Sequence, residues 1–511
     1  MSRLRGVVYP VLAGLGLFIA LLSWAFSSPV GSAPDDTYHL PTIWCSWGEH
    51  ESCVRDGEGS FAAPQMITEV CTYQRPQVSA ACEYLRTDEL MTVGHLQYVG
   101  SDTILQGNDP YHRVLRVFVG PDAEQSALNM RVFNAALASL LFATALIITG
   151  GGVRRALALS WLVAIVPVGM FLMSSTNPSS WAIMGVGTYW AFLLAAVRRR
   201  RWDWRRWVAV GGTVASAGIA IGGRTDALVF LAGSTVAVAF IAWPRIRRNR
   251  LVLLGIAAVL VAVGVLTIAT SMRSRIVLLF QGVGESVGTD HRLLESGANP
   301  TVNHLLELPS FLWALVGGQP PTFGFPTAYQ WGLGWLDTSI PSVTGILMLL
   351  ALAIVIAWGL GSYNVRKVMA IAVAFLTLVG SILLPLEGVN YAPTFVTQPR
   401  YFLPMLFVVI AMTVLRPRFT SRPRLALIVI LVGSVILANA AAHLASLHRY
   451  TNGELLPWMR MDLEPSWWWL NAPVGPNGVW GIGAVGFAVF AVAVGLISRD
   501  GLGSVRGVAP K

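Results

Sequence analysis

The chain has 511 residues, of which 54% are hydrophobic and only 12% are charged, and its formal net charge is +10. A soluble domain carries about 25% charged residues, so this composition excludes an ordinary globular protein and indicates a polytopic membrane protein. The positive charge does not indicate a nucleic-acid partner, because the basic residues stand in short runs between apolar segments, as they do in loops on the inner side of a membrane.

The first predicted element is an apolar run over residues 7–26, which follows a short basic segment. The run is longer than the apolar core of a secretory signal, which spans roughly 7–15 residues. We therefore interpret it as an uncleaved membrane anchor rather than a signal peptide cleaved after Ala33. Either interpretation places the residues that follow on the outer side of the membrane.

Two adjacent carboxylates follow this anchor in the stretch PDDTYHL at 34–40. One helical turn would bring Asp35 and Asp36 close to His39, because residues three and four apart share a helix face. This group predicts a general base for a hydroxyl, or a site for a divalent cation such as Mg²⁺ or Mn²⁺ with Asp36 and His39 as ligands. The alternative is that the acids only start a helix, since Asp is a good N-cap.

All four cysteines lie in the segment 27–127, which we predict to be an extracytoplasmic loop or a small subdomain. Disulfides persist on the oxidising side of a membrane, and four cysteines allow three pairings among which the sequence cannot choose. Free thiols are the alternative, and a zinc site is disfavoured because no Cys-x-x-Cys occurs. The disulfide candidates are Cys45, Cys53, Cys71 and Cys82.

Twelve apolar runs have the length, or nearly the length, needed to cross a bilayer, and lipid requires each of them to be helical. The predicted fold class is an all-α polytopic membrane protein, a bundle of about 12 transmembrane helices with large extracytoplasmic loops. The runs are 7–26, 128–149, 156–173, 181–197, 207–222, 227–243, 251–270, 342–360, 368–386, 401–415, 425–443 and 478–497.

The distribution of charge supports one topology for these runs. If the N-terminus is cytoplasmic and the spans alternate, the inner segments hold 23 of the 36 Lys and Arg but only 2 of the 26 Asp and Glu. This separation follows the positive-inside rule, so both termini are predicted to be cytoplasmic and the large loops extracytoplasmic.

This topology divides the chain into seven parts. The inner loops are too short for an ATPase or kinase domain, so any chemistry is expected outside or within the bilayer and without ATP. The parts are the anchor 1–26, the Cys-containing loop 27–127, spans 128–270, an outer loop 271–341 with an interfacial helix at 304–317, spans 342–443, a Trp-rich outer loop 444–477, and the last span with its tail at 478–511.

Two short outer connections carry polar residues. The stretch NPSS at 177–180 is interpreted as a plain turn between two spans. Arg224 and Asp226 lie in the stretch GGRTDA, at the outer tip of a helical hairpin. Charges so close to lipid are functional candidates, and the alternatives for this pair are a structural salt bridge or contact with a substrate.

Three further candidates stand near the outer ends of later spans. Asp337 in GLGWLDTSIP precedes the span at 342, and Arg400 and Tyr401 in QPRYFLP lie at the mouth of another. The planar guanidinium of Arg suits a phosphate or pyrophosphate group, whereas the alternative for Arg400 is snorkelling to lipid headgroups. The remaining histidines show no ligand spacing and are expected to be surface residues.

The stretches at 34–40, 177–180, 332–341 and 398–404 occur in an order that resembles a bacterial family of large predicted membrane proteins of unknown function. That family is grouped by fold with the GT-C glycosyltransferases, so the resemblance implies a GT-C-like bundle of helices. The resemblance covers about 33–415. This chain departs from the family at two positions. It has Asp36 where the family usually has Glu, and Ser179 where the turn of the family usually has Asp, so any role of that turn Asp is not available to this chain.

The resemblance implies an integral-membrane glycosyltransferase of the bacterial plasma membrane. Such an enzyme transfers a sugar from a polyprenyl-phosphate donor to a cell-envelope glycan or lipid acceptor on the outer face. The acid at Asp35 or Asp36 would be the base or metal ligand, assisted by His39, while Arg400 and then Arg224 are the candidates for the donor phosphate.

Two other classes of protein remain as alternatives to the enzyme. One is a transporter or flippase of lipid-linked saccharides, for which twelve spans is a common size. The large outer loops and the near absence of acids from the predicted spans disfavour it. The other alternative is a non-catalytic envelope assembly protein, in which Asp35 and Asp36 only cap a helix.

Overall fold

The computed structural model shows a protein that is mostly helical, and eight of its described helices are long and apolar enough to cross a membrane. This confirms a helical, multi-pass membrane protein. The residues described are 2–55, 61–73, 75–84, 96–99, 109–199, 201–247, 300–317, 332–383, 398–415, 425–453, 461–463, 465–469 and 472–500. The predicted span 251–270 therefore lies outside the described residues.

The helices follow the apolar runs of the sequence and begin at recognisable caps. Two of the long ones start after an aspartate whose carboxylate accepts a hydrogen bond from the first turn, at Asp122 and at Asp203. The helices are α1 Ser2–Ala25, α2 Asp36–Cys45, α3 Gln65–Thr68, α4 Ala81–Tyr84, α5 Pro110–Leu115, α6 Ala123–Ile148, α7 Gly151–Ala164, α8 Val168–Met173, α9 Ser179–Arg198, α10 Trp204–Gly223, α11 Ala227–Ile246, α12 Pro300–Gly317, α13 Ser342–Leu360, α14 Val365–Leu383, α15 Leu403–Val414, α16 Leu425–Asn452 and α17 Pro476–Asp500.

Two predicted spans differ from the helices that form. The run 156–173 is divided into α7 and α8, because Pro167 lies between them and proline cannot donate the backbone hydrogen bond that a continuous helix requires. The run 401–415 forms the short helix α15 after a 3₁₀ turn at Pro399–Phe402. The count of twelve spans stays a prediction.

The structure is mostly helical, as predicted, and adds one small antiparallel sheet in the loop 27–127, which is called the outer segment below. The sheet is made of β1 Val54–Arg55, β2 Phe61–Pro64 and β3 Leu96–Val99, in the order β1-β2-β3. Ala62 of β2 pairs with Tyr98 of β3. The requirement for helix applies only to segments in the hydrocarbon, so a long loop outside it is free to form strands.

Both disulfides predicted from composition are present in this outer segment. Cys45 at the end of α2 is bonded to Cys53 beside β1, and Cys71 is bonded to Cys82 in α4. The pairing, which the sequence left open, therefore joins neighbours along the chain. Each bond closes a short loop next to the helix bundle.

The two ends of the chain pack against each other in the bundle, because α1 lies between α17 and α6. Small residues allow this close approach: a Cβ on Gly16 would lie 2.5 Å from the backbone nitrogen of Phe490. Without a hydrophobic driving force in lipid, such backbone proximity is a main source of helix association. On the other side, α9 is buried against α10, α11 and α15.

Arg449 in α16 attaches the outer segment to the bundle. Its buried guanidinium donates to the carbonyl oxygens of Thr72 at 3.1 Å and Arg75 at 2.9 Å, and to that of Val78. It also forms an ion pair with Asp337 at 3.3 Å. These contacts hold the loop of the second disulfide and the turn around Asp337 on the same helix end.

The helix α16 extends well past the predicted run 425–443. Its last turns contain Arg449 and other polar residues that are buried under the outer segment. The polar residues at the end of this helix are therefore surrounded by protein and not by lipid, which is why the helix can contain them.

Candidate functional site

A polar cavity of about 590 Å³ lies where the starts of α2, α5, α9 and α11 meet the end of α10 and the turn before α15. This volume is within the range of about 300–1,000 Å³ that small-molecule sites occupy. The cavity is lined by Asp35, Tyr38, His39, Asp109, His112, Asn177, Pro178, Ser179, Gly223, Arg224, Thr225, Asp226 and Tyr401. Three of the four stretches that carried the family resemblance thus contribute to one site.

Asp35 faces the cavity from an unusual backbone conformation. Its φ is 63°, in the left-handed region that non-glycine residues rarely adopt. It occupies the N-cap position of α2, but its side chain makes no capping hydrogen bond. The carboxylate instead accepts a hydrogen bond from Arg400 at 2.6 Å, and 44% of the side chain stays exposed. The strained backbone and this contact both favour a role for Asp35 other than helix capping.

Arg400 is almost completely buried behind the cavity wall, with 3% of its side chain exposed. Its Nη2 donates to Asp35 and, at 3.3 Å, to the hydroxyl of Tyr401. Its Nε and Nη1 are buried and have no hydrogen-bond partner in the described part of the chain. Arg400 does not line the cavity, so a ligand in the cavity would interact with its positive charge and not directly with these enclosed nitrogens.

Arg224 and Asp226 form a two-point ion pair in the cavity wall. Arg224 Nε donates to Asp226 at 2.9 Å and Nη2 donates at 2.5 Å, while the guanidinium stacks on the ring of Tyr401 at 4.0 Å. Arg224 Nη1 also donates to the hydroxyl of Ser179 at 3.3 Å. The pair is therefore a salt bridge that lines the cavity, and its contact with a substrate stays a prediction.

Asp36 points away from the cavity and is completely buried. Its carboxylate accepts from the backbone nitrogen of Ala33 at 2.9 Å and from the hydroxyl of Thr176 at 2.7 Å. Burial raises the pKa of Asp36 to about 6, and the nearby charge of Arg131 and these two hydrogen bonds limit the rise. Two neighbouring acids that the sequence treats as equivalent therefore occupy opposite environments.

These contacts of Asp36 do not fit the predicted metal ligand, because both carboxylate oxygens are occupied within the protein. His39 lines the cavity, whereas Asp36 does not. Among the described residues, three potential ligand atoms of His, Cys, Asp or Glu come within 4.8 Å of one another only at Cys71, Cys82 and Glu83. Both sulfurs of that group are in a disulfide, so it is not a metal centre.

Arg131 of α6 organises the connection between α1 and α2. Its buried guanidinium donates to the carbonyl oxygens of Ala25 at 2.9 Å, Ser28 at 2.6 Å and Pro29 at 2.6 Å. These bonds satisfy the free carbonyl group at the end of α1 and two carbonyl groups of the connection that follows it. Arg131 thereby fixes the path of the chain that leads to Asp35.

The stretch 177–180 is more than the plain turn that the sequence suggested. The Asn177 side chain donates to the carbonyl oxygen of Pro34 at 2.7 Å and accepts from the backbone nitrogen of Ser179 at 2.9 Å. It thus joins the start of α9 to the residue that precedes Asp35. Ser179, where the family turn usually has Asp, contributes a hydroxyl to the cavity instead of a carboxylate.

Two histidines, His39 and His112, lie side by side in the cavity wall. Nδ1 of His39 is 3.2 Å from Nε2 of His112. Burial lowers the pKa of His112 to about 4. Burial also lowers the pKa of His39 well below its usual value, and His112, Arg400 and Arg224 add to this effect. Both rings are therefore neutral at pH 7.

Sequence reasoning missed His112 and Asp109, which line the cavity beside His39. His112 was expected at the surface, but it is only 2% exposed. The local sequence, NDPYHR at 108–113, indicates a helix start and nothing more. Only the fold brings this short helix, α5, next to α2, so proximity in the sequence gave no indication of the site.

Asp337, like Asp36 and Arg400, is a predicted site residue that does not line the cavity. Its side chain is 7% exposed and forms the ion pair with Arg449. In the same turn, the indole of Trp335 donates to the carbonyl oxygen of Gly31 at 2.8 Å. The turn therefore supports the chain before Asp35 from outside the cavity.

The neutral histidines predict a dependence of stability on pH. The unfolded chain takes up a proton on each histidine near pH 6.5, whereas folded His112 does so only near 4. The unfolded state binds more protons between these values, so this part of the stability is lost as the pH falls through the window. Asp36 acts in the opposite sense, because its raised pKa lets the folded state take up a proton first.

Comparison with a variant separates the two effects. From pH 7 to 4.5, we expect the thermal unfolding temperature of purified protein to fall further for the wild type than for His112→Asn. His50→Asn, which changes a histidine outside the cavity, should follow the wild type. Equal acid sensitivity of the wild type and His112→Asn would contradict the assignment of His112 as a buried neutral ring.

Residues 18–409 match the model of a protein family described as "Predicted membrane protein (DUF2142)", so the chain belongs to that family. The match includes every residue that lines the cavity. No curated protein and no solved structure matches the chain significantly. Membership in the family agrees with the multi-pass architecture and leaves the activity to be proposed from the site.

Proposed function

We propose that the protein is a GT-C-type membrane glycosyltransferase. It would transfer a sugar from a polyprenyl-phosphate donor to a cell-envelope glycan or lipid acceptor at the outer face of the bacterial plasma membrane. The observation that carries this proposal is the contact between half-exposed Asp35 and buried Arg400 at the edge of the polar cavity. A carboxylate for the acceptor and a guanidinium for the donor thus meet in one place.

Asp35 is the general base in this proposal. One of its oxygens accepts from Arg400, and the other has no protein partner among the described residues. The acceptor hydroxyl attacks the anomeric carbon as its proton passes to Asp35. A bond forms between that oxygen and the sugar, and the bond from the sugar to the phosphate oxygen breaks with its electron pair remaining on the phosphate.

Arg400 stabilises the charge that develops on the leaving phosphate. Arg400 does not line the cavity, so it acts through its charge, and its burial strengthens this interaction because little water competes. Arg224, which does line the cavity, is the second candidate for this role, and Asp226 and Tyr401 hold its guanidinium in place. No step is assigned to a metal ion, since Asp36 does not fit a ligand.

The distribution of charge and the two disulfides support a site on the extracytoplasmic side of the membrane. The cavity lies at the end of the bundle that carries both disulfides, and the segments at the opposite end hold most of the basic residues. The positive-inside rule and the stability of disulfides outside the cytoplasm both support an extracytoplasmic site. A lipid-linked donor diffusing in the outer leaflet would have access to it.

A reconstituted assay tests the proposal. Membranes containing the full chain are incubated with a panel of radiolabelled polyprenyl-phosphate hexoses and pentoses, and label in envelope glycan or lipid is counted. We expect transfer that falls about a hundredfold in Arg400→Gln, because loss of one preorganised group that stabilises a developing charge costs about that factor. Arg205→Gln, an exposed arginine at the far end of the bundle, is the matched control.

The same labelled donors distinguish a transporter from a transferase. If labelled donor moves between leaflets of reconstituted vesicles while no product forms, the glycosyltransferase proposal is wrong and the flippase is favoured. If Arg400→Gln transfers sugar as fast as the control, the role of Arg400 is wrong.

A further inference from the structure

The hydrogen bond between the two cavity histidines can be given a direction. His39 Nδ1 is 3.2 Å from His112 Nε2, and the rings are inclined by 29° with centroids 5.5 Å apart. One nitrogen of this pair must carry the proton and the other must be bare. The direction decides whether the other nitrogen of His39, Nε2, presents an N–H donor or a bare acceptor nitrogen to the cavity.

The pair is limited to two arrangements because both rings are neutral and each carries one proton. Burial and the charges of Arg400 and Arg224 lower the pKa of His39, and burial lowers that of His112. In the first arrangement His39 Nδ1–H donates to His112. In the second arrangement His112 Nε2–H donates to His39.

The remaining nitrogen of His112 distinguishes these arrangements. Nδ1 of His112 is buried and has no hydrogen-bond partner among the described residues. The first arrangement would leave a proton on this atom, and therefore a buried N–H without an acceptor. The second would leave a bare nitrogen without a donor. In proteins, orphaned buried backbone N–H groups are rarer than under-satisfied carbonyl acceptors, and the same preference applied to the imidazole favours the second arrangement.

We propose that His112 is a positioning residue that holds His39 as its Nε2–H tautomer, so that His39 donates a hydrogen bond to a hydroxyl of the sugar bound in the cavity. His39 Nε2 is the nitrogen that His112 does not use, and it has no protein partner in the described part of the chain. A hydroxyl both accepts and donates, so it can bind His39 while it donates to a cavity carboxylate such as Asp35 or Asp109.

This inference rests on the proposed function for the identity of the ligand, but the tautomer of His39 does not depend on any activity. With Nδ1 accepting from His112, neutral His39 offers only a donor to the cavity, which assigns the acceptor role there to the carboxylates. The assignment also separates His39 from the base that removes a proton.

The test is nuclear magnetic resonance of the full chain in lipid nanodiscs, with ¹⁵N-labelled histidine at pH 7.5. The imidazole resonances that disappear in His39→Asn are expected to be those of an Nε2–H tautomer. In His112→Asn, the His39 resonances should move toward a mixture of the two tautomers. An Nδ1–H tautomer or a doubly protonated ring at His39 would overturn the inference, and assignment through His39→Asn alone suffices if His112→Asn does not fold.

The transfer assay supplies the second readout. His112→Asn and His39→Asn should each lower transfer by about tenfold, the size expected for one hydrogen bond to bound substrate. If the wild type shows the Nε2–H tautomer but transfers no sugar, the proposed function is wrong and the tautomer assignment stands. If transfer occurs and the tautomer is Nδ1–H, only the inference about His112 is wrong.

Discussion

Asp35→Asn should reduce sugar transfer by at least about a hundredfold, because general-base catalysis by a positioned side chain contributes typically 10²–10⁴-fold. Asparagine retains an oxygen that can accept from Arg400, which also keeps its contact with the Tyr401 hydroxyl. The amount of folded protein in the membrane is therefore expected to stay near that of the wild type. Transfer of label and abundance by immunoblot are measured on the same membranes.

The control for Asp35→Asn is Glu51→Gln, which makes the same chemical change at an exposed acid of the outer segment. Glu51 does not line the cavity, so its variant should transfer sugar at the wild-type rate. Normal transfer by stable Asp35→Asn would exclude Asp35 as the base. Loss of transfer in both variants would indicate an effect of charge on the whole outer surface.

Asp36→Ala should destabilise the folded protein by about 3 kcal/mol or more, since removing one partner of a buried charged network costs about 3–5 kcal/mol. The change leaves the Thr176 hydroxyl and the Ala33 backbone nitrogen without their acceptor, and it removes the negative charge nearest to buried Arg131. The expected result is a lower unfolding temperature in detergent and reduced abundance in the membrane.

Glu51→Ala provides the comparison for Asp36→Ala, and an exposed substitution of this kind is expected to change stability by no more than about 0.5 kcal/mol. Asp36→Asn should lie between the two, because it keeps one acceptor oxygen. If Asp36→Ala unfolds at the wild-type temperature and only transfer is lost, the structural role assigned to Asp36 is wrong. Asp36 would then act in catalysis or in substrate binding.

The two acids therefore make opposite predictions from adjacent positions. Asp35 is expected to affect rate at constant abundance, and Asp36 is expected to affect abundance first. The left-handed backbone of Asp35 explains how this happens, because it turns one side chain toward the cavity while the next side chain begins α2 and points into the bundle. A regular helix would have placed both acids on neighbouring faces.

Much of the fold could be predicted from hydropathy alone. The runs 181–197 and 227–243 correspond closely to α9 and α11, because lipid enforces helix wherever the chain is continuously apolar. The division between α7 and α8 was missed even though Pro167 was visible, since helices in membranes tolerate proline when neighbours satisfy the freed groups. The small sheet and the polar end of α16 were missed because water and protein contacts, not lipid, decide them.

The site was predictable only in part. Asp35, Arg224 and Arg400 stood out because charges next to apolar runs are uncommon and costly. His112 and Asp109 carried no such distinction, since they lie in a long polar loop where a histidine and an acid are ordinary. The separate roles of Asp35 and Asp36 were also beyond sequence reasoning, because they depend on a single backbone dihedral.

The attachment made by Arg449 imposes an order on assembly during synthesis. Thr72, whose carbonyl oxygen accepts from this guanidinium, is translated 377 residues before Arg449. The loop closed by Cys71 and Cys82 is therefore made long before the helix that will hold it. Docking of this loop is in consequence a late event, which completes the outer segment only after α16 has been made.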